Sequence, residues 1–203
     1  MSFTEDLEGL VHAHFAHKPT KCQQEAITEW AEFMLSREAD AAFLLRGYAG
    51  TGKTSLVAAM VQTLAQLKQP VMLLAPTGRA AKVFSLYSGM PAYTIHRKVY
   101  RQKTLTEPGL FQQGVNLHKH TTFIVSNAGG DGGVSFGTGR LLDDLIHYVY
   151  SCEGCRLMLI GDTAQLPPVG TDESPALDAG MLAGYGLTVW QVQMTEVVRQ
   201  STD

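Results

Sequence analysis

The feature of this sequence that most constrains its fold is a glycine-rich turn between a short apolar run and a helix-patterned segment. The apolar run covers residues 41–45, and the turn, residues 47–54, reads GYAGTGKT. Residues 53–68 then carry apolar side chains at the three- and four-residue spacing of an amphipathic helix. The order strand, turn, helix predicts the first half of a βαβ unit.

The turn itself satisfies the pattern Gly-x-x-x-x-Gly-Lys-Ser/Thr, in the strand-to-helix context that this pattern requires. Its glycines let successive N–H groups point at phosphate oxygens, and the following helix adds the partial positive charge of its N-terminus. In such a loop Lys53 reaches the β- and γ-phosphates, and the Thr54 hydroxyl coordinates Mg²⁺. The sequence therefore predicts a site for ATP and Mg²⁺ formed by Gly47, Tyr48, Ala49, Gly50, Thr51, Gly52, Lys53, Thr54 and Ser55.

The rest of the chain continues the alternation of strands and helices. Further apolar runs predict strands at residues 71–75, 122–125, 156–160 and 187–194, and amphipathic patterns predict helices at 23–37, 79–86 and 141–150. Thr20 is a plausible cap for the first of these helices. Strands alternating with helices predict an α/β fold in which helices cover both faces of a parallel sheet. The glycine-rich stretch 129–139 is interpreted as a mobile loop.

Composition narrows the class of protein. The chain has 203 residues, 45% hydrophobic and 17% charged, which suits one domain with an embellishment rather than a disordered segment. The net charge of −3 does not indicate a nucleic-acid binder, although it leaves room for a local groove. No apolar run approaches the roughly 20 residues of a membrane span, and residues 1–10 lack the basic start of a secretion signal. We expect no membrane partner and a cytoplasmic location.

Cysteines and histidines give only weak signals for a metal site. Three cysteines cannot form a disulfide framework, and Cys152 and Cys155 form a single CxxC pair without the second pair that structural zinc requires. The histidines lack acidic or cysteine partners at ligand spacing, so we interpret them as solvated polar residues; they are His12, His14, His17, His118 and His120.

Two further segments follow apolar runs and carry polar residues. They are residues 75–81, APTGRAA, and residues 159–169, LIGDTAQLPPV. Together with residues 47–54 they resemble motifs Ia, III and I of superfamily 1 helicases. The likeness is strongest to the RecD-like branch, the relatives of the exodeoxyribonuclease V alpha chain. Gln23 resembles the adenine-reading Q motif, residues 94–97 resemble motif Ib, and residues 195–200 resemble motif IV, so the likeness covers about residues 19–200.

The resemblance implies a RecA-like P-loop motor domain over residues 1–203, with a small pin-like hairpin inserted at about 101–119. It implies ATP-driven unwinding of duplex DNA with 5′ to 3′ movement, in recombination and repair, alongside possible accessory recombination proteins. The sequence given stops at Asp203, directly after the motif IV likeness. We therefore expect this chain to be the first motor domain alone, without the second motor domain of the intact parent.

Residue roles follow from the same resemblance. Gln165 matches the γ-phosphate sensor, Arg199 matches the arginine that meets the γ-phosphate, and Asp162 matches a polar partner of the phosphate site. Pro76, Thr77 and His96 are expected to lie along the groove for single-stranded DNA. Tyr93 and Tyr100 are stacking candidates there, although ordinary packing explains both more simply.

One segment departs from the family pattern. Where the family continues the strand at 122–125 into Asp-Glu-Ala-Ser, the Walker B segment, this chain has Ser126 and Asn127. Neither residue binds Mg²⁺ firmly or takes a proton at neutral pH, so hydrolysis is expected to be badly impaired. A genuine substitution of the acidic pair and a local deletion that joined Val125 to a loop starting at Ser126 both explain the difference, and rescue by Asp131 is the weaker possibility.

Two other functions remain open at this point. If the missing acidic pair is the native state, the chain is a noncatalytic module that binds nucleotide and single-stranded DNA. A different P-loop ATPase, such as a kinase or a clamp loader, would leave the GDTAQLPPV segment unexplained.

Overall fold

Short apolar runs of this chain form a buried sheet, because each run is too short for a helix and is flanked by turns. The computed structural model describes residues 2–102, 111–126, 139–162 and 178–198. The strands are β1 (Ala41–Gly47), β2 (Val71–Ala75), β3 (Ala92–Thr94), β4 (Tyr100–Gln102), β5 (Phe111–Gln113), β6 (Thr122–Ser126), β7 (Arg156–Asp162) and β8 (Thr188–Met194). The helices are α1 (Phe3–His14), α2 (Lys21–Leu35), α3 (Lys53–Gln66), α4 (Gly78–Ser88), α5 (Ile95–Val99), α6 (Gly139–Tyr150) and α7 (Ala179–Gly184).

Six strands form one sheet in the order β3-β2-β6-β7-β1-β8, and every neighbouring pair is parallel. Successive residues of β1 face opposite sides of the sheet. Phe43 and Leu45 pack with α1, α2, α3 and α4, whereas Ala42 and Leu44 pack with α5, α6 and α7. Helices therefore cover both faces, and the predicted α/β fold is confirmed.

Predicted and observed elements differ mainly at their ends. The helix predicted at 23–37 runs from Lys21 to Leu35, because Thr20 caps it: its hydroxyl accepts from the Gln23 N–H at 3.3 Å, and the Gln23 side chain accepts from the Thr20 N–H at 2.9 Å. Strands β1 and β7 each extend two residues beyond the predicted end, to Gly47 and Asp162.

Helix α1, which has 12 residues, and several shorter elements were not predicted from sequence. Helix α1 begins with its own capping box, formed by Ser2 and Glu5. Its His12 and His14 bond Gln24 and Gln66, each through ring nitrogen and amide oxygen. The three-residue β3, the five-residue α5 and the six-residue α7 are too short for a periodic signal.

An antiparallel pair, β4 with β5, falls in the region where the pin-like insertion is expected. Residues 103–110, between the two strands, lie outside the described residues, and a pin function for this pair stays a prediction. The loop predicted at 129–139 also lies outside them, except for Gly139, where α6 begins. In the described part of the chain, no helix has the length and apolarity needed to cross a membrane.

Candidate functional site

The carboxyl ends of all six parallel strands meet at one edge of the sheet, where ligands bind in open α/β folds. Register places Gly47 of β1 beside Asp162 of β7, and Ser126 of β6 beside Ile160 of the same strand. At the other end of this edge, Ala75 of β2 pairs with Thr94 of β3. The residues that follow these strands include most of the candidates predicted from sequence.

The glycine-rich loop makes the turn from β1 into α3. Gly50 and Gly52 both have φ of 81°, in the left-handed region that glycine adopts without strain. Gly52 is the N-cap of α3 and provides no side-chain acceptor, which leaves the first N–H groups of this helix without a side-chain cap. Thr51 is buried and braces the loop through a 2.8 Å hydrogen bond from its hydroxyl to the Tyr48 carbonyl.

Lys53 lies inside this loop. Its ammonium donates to the Gly47 carbonyl at 2.6 Å and to the Tyr48 carbonyl at 2.7 Å. Burial lowers the pKa of Lys53, and the nearby carboxylate of Asp162 partly opposes that change. A phosphate group entering the loop would replace the two carbonyls as acceptors for this ammonium. Its charged oxygens are stronger hydrogen-bond partners than neutral carbonyls.

The remaining loop residues are more open. Tyr48, Ala49, Gly50, Thr54 and Ser55 are exposed. Thr54 and Ser55 lie in the first turn of α3, directly after the loop. The Thr54 hydroxyl and the Asp162 carboxylate are of the chemical type that suits Mg²⁺, because this ion prefers oxygen ligands.

Gln23 connects α2 to the loop. Its side-chain nitrogen donates to the Thr51 carbonyl at 3.2 Å, and its side-chain oxygen accepts from the Thr20 N–H. The residue is only 3% exposed. Since an amide has two N–H donors and two acceptor lone pairs, one donor and one lone pair remain for a nucleotide base.

The segment that follows β8 crosses the same loop. The Val198 N–H donates to the Gly50 carbonyl at 2.9 Å, and the Thr195 hydroxyl lies 3.6 Å from the Cys22 sulfur. The resemblance of residues 195–200 to motif IV predicted that this segment belongs to the site. It did not predict the backbone hydrogen bond from Val198 to Gly50. Arg199 and Gln165, the two predicted γ-phosphate contacts, lie outside the described residues.

Ser126 ends β6, where the family pattern has the Walker B aspartate. The side chain is fully buried, and the Tyr87 hydroxyl donates to its oxygen at 3.0 Å. Burial raises the pKa of Tyr87 to about 12, so this hydroxyl stays neutral at physiological pH. Sequence reasoning identified the missing carboxylate but not Tyr87, and Asn127 and Asp131 lie outside the described residues.

The predicted DNA contacts lie together at the far end of the edge. Thr77 caps α4 and accepts from the Ala80 N–H at 3.2 Å, and Pro76 beside it is half-buried. His96 is exposed on α5, with its ring centroid 5.4 Å from that of Tyr100. Because β2 and β3 are neighbours, Thr77 and His96 follow adjacent strand ends.

The two tyrosines proposed for stacking differ in their surroundings. The Tyr100 hydroxyl donates to the Asp144 carboxylate at 2.5 Å, which anchors α5 to α6. Tyr93 lies beneath two cations: the Lys98 ammonium is 4.4 Å and the Arg97 guanidinium carbon 5.7 Å from its ring centroid.

This parallel sheet, with a phosphate-binding loop after β1 and further polar residues at the same edge, defines a RecA-like P-loop nucleotide-binding domain. Residues 20–203 match the AAA domain family AAA_30, and the chain belongs to that family. Its motifs and relatives identify it as a RecD-like first motor domain of superfamily 1 helicases, as the sequence predicted.

Two helicases resemble the chain in sequence. The ATP-dependent RecD2 DNA helicase of Deinococcus radiodurans is 30% identical over 190 residues, which are 90% of this chain and 23% of that protein. The ATP-dependent DNA helicase dda of Enterobacteria phage T4 is 30% identical over 161 residues, 77% of this chain and 34% of that protein. The chain thus spans a quarter to a third of these relatives.

The fold resembles the crystal structure of Pif1 helicase from Candida albicans, with a TM-score of 0.54 and 18% identity. The likeness covers 92% of this chain and 42% of that one. At this identity the comparison supports the fold alone.

Proposed function

We propose that this chain is the ATP-binding motor domain of a RecD-like DNA helicase that unwinds duplex DNA with 5′ to 3′ movement, in recombination and repair. The single observation that carries the proposal is the shared edge of the sheet. The phosphate-binding loop and Asp162 lie at one end of it, and Thr77 and His96 lie at the other. A change at the nucleotide site can therefore act on a bound strand through one rigid sheet.

In this proposal each nucleotide contact has a physical role. Lys53 and the loop N–H groups bind the phosphates, Thr54 and Asp162 supply oxygen ligands for Mg²⁺, and Gln23 contacts the adenine. Gln165 and Arg199 are assigned to the γ-phosphate by the family resemblance. A guanidinium there spreads the charge that develops during phosphoryl transfer.

The proposed partners are single-stranded and duplex DNA, a second motor domain that completes the ATP site, and accessory recombination proteins. The proposal places the protein in the cytoplasm. For this chain alone we propose weak or absent hydrolysis, because the buried Ser126 hydroxyl offers neither the charge for Mg²⁺ nor the basicity to activate water.

Calorimetric binding of ATP and ADP, with and without Mg²⁺, tests the nucleotide site. Lys53→Ala is expected to weaken ATP binding about tenfold to a hundredfold, because it removes charged hydrogen bonds to phosphate. Lys68→Ala, which removes an exposed lysine after the C-terminus of α3, is the matched control and should bind as the unaltered chain does. Equal ATP affinity of the unaltered chain, Lys53→Ala and Lys68→Ala would show that the loop is not part of the nucleotide site.

A double substitution tests the hydrolysis deficit. Ser126→Asp with Asn127→Glu restores the acidic pair of the family pattern and should raise ATP turnover above that of the present chain if the pair was lost by substitution. If instead a deletion shifted the segment, the restored side chains do not face the nucleotide and turnover stays at background. Either result is read beside Ser126→Ala, which removes the hydroxyl without adding charge.

A noncatalytic module that binds nucleotide and single-stranded DNA is the second candidate. The hydrogen bond from Tyr87 to Ser126 favours it, because a neutral hydroxyl pair occupies this place without an unpaired charge. Under this alternative the restored acidic pair would give no turnover and would lower stability, since a buried carboxylate replaces a satisfied hydroxyl.

A further inference from the structure

A groove of about 380 Å³ runs between α4 and the edge strand β3. We call it the α4–β3 groove, and its polar and aromatic lining consists of Lys82, Ser85, Tyr93, Thr94 and Arg97, with Gly78 at the start of α4 beside them. It opens to solvent where β3 ends the sheet. Among the described residues, none that the sequence assigns to the nucleotide site lines it.

The groove has a positive lining. Lys82 and Arg97 are exposed on its two walls, and none of the described residues that line it is acidic. The carboxylates on α6, which packs against α5, bond other groups: Asp144 accepts from Tyr100 and Asp143 accepts from Tyr185. We therefore expect this groove to attract anionic ligands, since its described walls carry no opposing carboxylate.

The charge is part of a wider segregation along the sequence. Between residues 41 and 106 the chain has nine Lys and Arg residues and no Asp or Glu. The rest of the chain has seven Lys and Arg residues and all 19 acidic ones. A net charge of −3 therefore conceals a basic segment that contains the whole lining of the groove.

Tyr93 lies beneath one cation of the groove, Arg97, and beneath a neighbouring cation, Lys98, that is not part of the groove lining. The Lys98 ammonium and the Arg97 guanidinium both lie over its ring, at 4.4 and 5.7 Å from the centroid. A cation over an aromatic face loses side-chain freedom but keeps its charge, so less entropy is lost when it binds an anion.

The groove continues directly from the proposed DNA contacts. Gly78 follows Thr77 at the start of α4, and Arg97 follows His96 on α5. A strand lying on Thr77 and His96 meets the groove as its next surface. Because the groove adjoins the proposed DNA contacts, a polyanionic single strand of DNA is a better candidate ligand for it than an isolated small anion.

We propose that single-stranded DNA extends past Thr77 and His96 into the α4–β3 groove, where Lys82 and Arg97 each bind one backbone phosphate. This inference rests on the proposed function, because it lengthens the DNA track of the same motor domain. Binding of this kind reads phosphates and not bases, so it is independent of sequence.

The test is fluorescence anisotropy of a labelled oligothymidylate of about 12 nucleotides over a range of salt concentrations. Each lost phosphate contact lowers the slope of log K against log salt by about 0.7 for single strands. Lys82→Gln and Arg97→Gln should each reduce the slope by that amount and weaken binding about fivefold at 0.1 M salt. Lys68→Gln removes the same charge between α3 and the start of β2, at the amino ends of the strands and away from the proposed DNA contacts, and should leave the slope unchanged.

The outcomes separate the inference from the function on which it rests. If the unaltered chain binds and His96→Ala weakens binding, but Lys82→Gln and Arg97→Gln behave like Lys68→Gln, the groove is not part of the track. If the unaltered chain does not bind the oligonucleotide, the proposed DNA role fails as well. Thermal melting by circular dichroism checks that each variant is folded. We expect all of them to fold, because the substituted side chains are exposed.

Discussion

Gln23 joins helix α2 to the phosphate-binding loop through one side chain. Its oxygen closes the capping box with Thr20, and its nitrogen bonds the Thr51 carbonyl. The amide occupies the space beside Gly52 where a side chain would otherwise lie. Glycine is therefore required at position 52 for two reasons: its φ is positive, and a Cβ there would overlap the Gln23 amide.

Gly52→Ala tests this requirement. A methyl group would overlap the Gln23 amide nitrogen, and φ of 81° strains any residue with a Cβ. We expect a loss of about 1–3 kcal/mol in the free energy of unfolding, measured with urea, together with weaker ATP binding. Gly9→Ala is the control: nothing lies within 4 Å of the added methyl on α1, so stability should rise by about 0.5–1 kcal/mol.

The raised pKa of Tyr87 gives a prediction for the free energy of unfolding at alkaline pH. Burial raises its pKa from 10.0 to about 12, so between these values the native chain keeps a proton that the unfolded chain has released. Stability should therefore fall as pH rises through this window. Urea unfolding of the unaltered chain and Tyr87→Phe on either side of pH 10 measures the effect. A variant with the same pH dependence as the unaltered chain would show that Tyr87 is not its source.

At the scale of elements, single polar side chains fix helices to the sheet and its connections. The Arg156 guanidinium, at the start of β7, donates to the carbonyls of Phe33 and Ser36 at the end of α2 and lies over the Phe33 ring. It therefore adds side-chain donors to carbonyls at the end of a helix, where intrahelical donors run out. This contact joins residues 120 positions or more apart, which no local pattern reveals.

Asn116 has a similar role for the segment after β5. Its side-chain nitrogen donates to the carbonyls of Tyr148 and Val149 at the end of α6, and its oxygen accepts from the His118 N–H. Asn116 is 5% exposed, whereas its neighbour Val115 is 70% exposed. One buried amide thus secures a segment whose apolar side chains face solvent.

Asn116→Ala should lower the free energy of unfolding by about 1–3 kcal/mol, because it removes a buried donor to the carbonyls at the end of α6; the Tyr148 carbonyl keeps its bond from the Ser151 hydroxyl. Val115→Ala, one residue away, should change it by less than about 0.5 kcal/mol. Urea denaturation of both variants makes the comparison. Equal effects would mean that the segment is held by its backbone and not by this amide.

On the scale of the whole molecule, one sheet separates two hydrophobic cores. Leu45 belongs to the core beneath α1, α2, α3 and α4, and Leu44 belongs to the core beneath α5, α6 and α7. Both leucines are fully buried on β1, between β7 and β8. Because each core shares this strand, neither is expected to unfold without the other.

Leu44→Ala and Leu45→Ala should each lower stability by about 2–5 kcal/mol, since each leaves a cavity in a packed core. Both should unfold in a single transition with an unchanged dependence on urea concentration. Leu67→Ala is the control, because that side chain is 42% exposed. Two separate transitions in either core variant would show that the cores are independent.

The sequence by itself determined the α/β alternation, the phosphate-binding loop and the helicase family, because these depend on local periodicity and on contiguous motifs. The strand at residues 71–75 was predicted with its observed ends, and the helix predicted from residue 53 begins at Lys53. It did not predict β3, α5 or α7, since three to six residues give too few repeats for a period to show.

Only the tertiary structure decided which distant residues meet. It placed Gln23 against Thr51, Val198 on Gly50 and Tyr87 on Ser126, at sequence separations that carry no periodic signal. The α4–β3 groove has the same origin, although the absence of acidic residues between positions 41 and 106 was readable from the sequence. Local pattern fixes which segments become strands, but strand order fixes which strand ends share an edge, and strand order is set by packing over the whole chain.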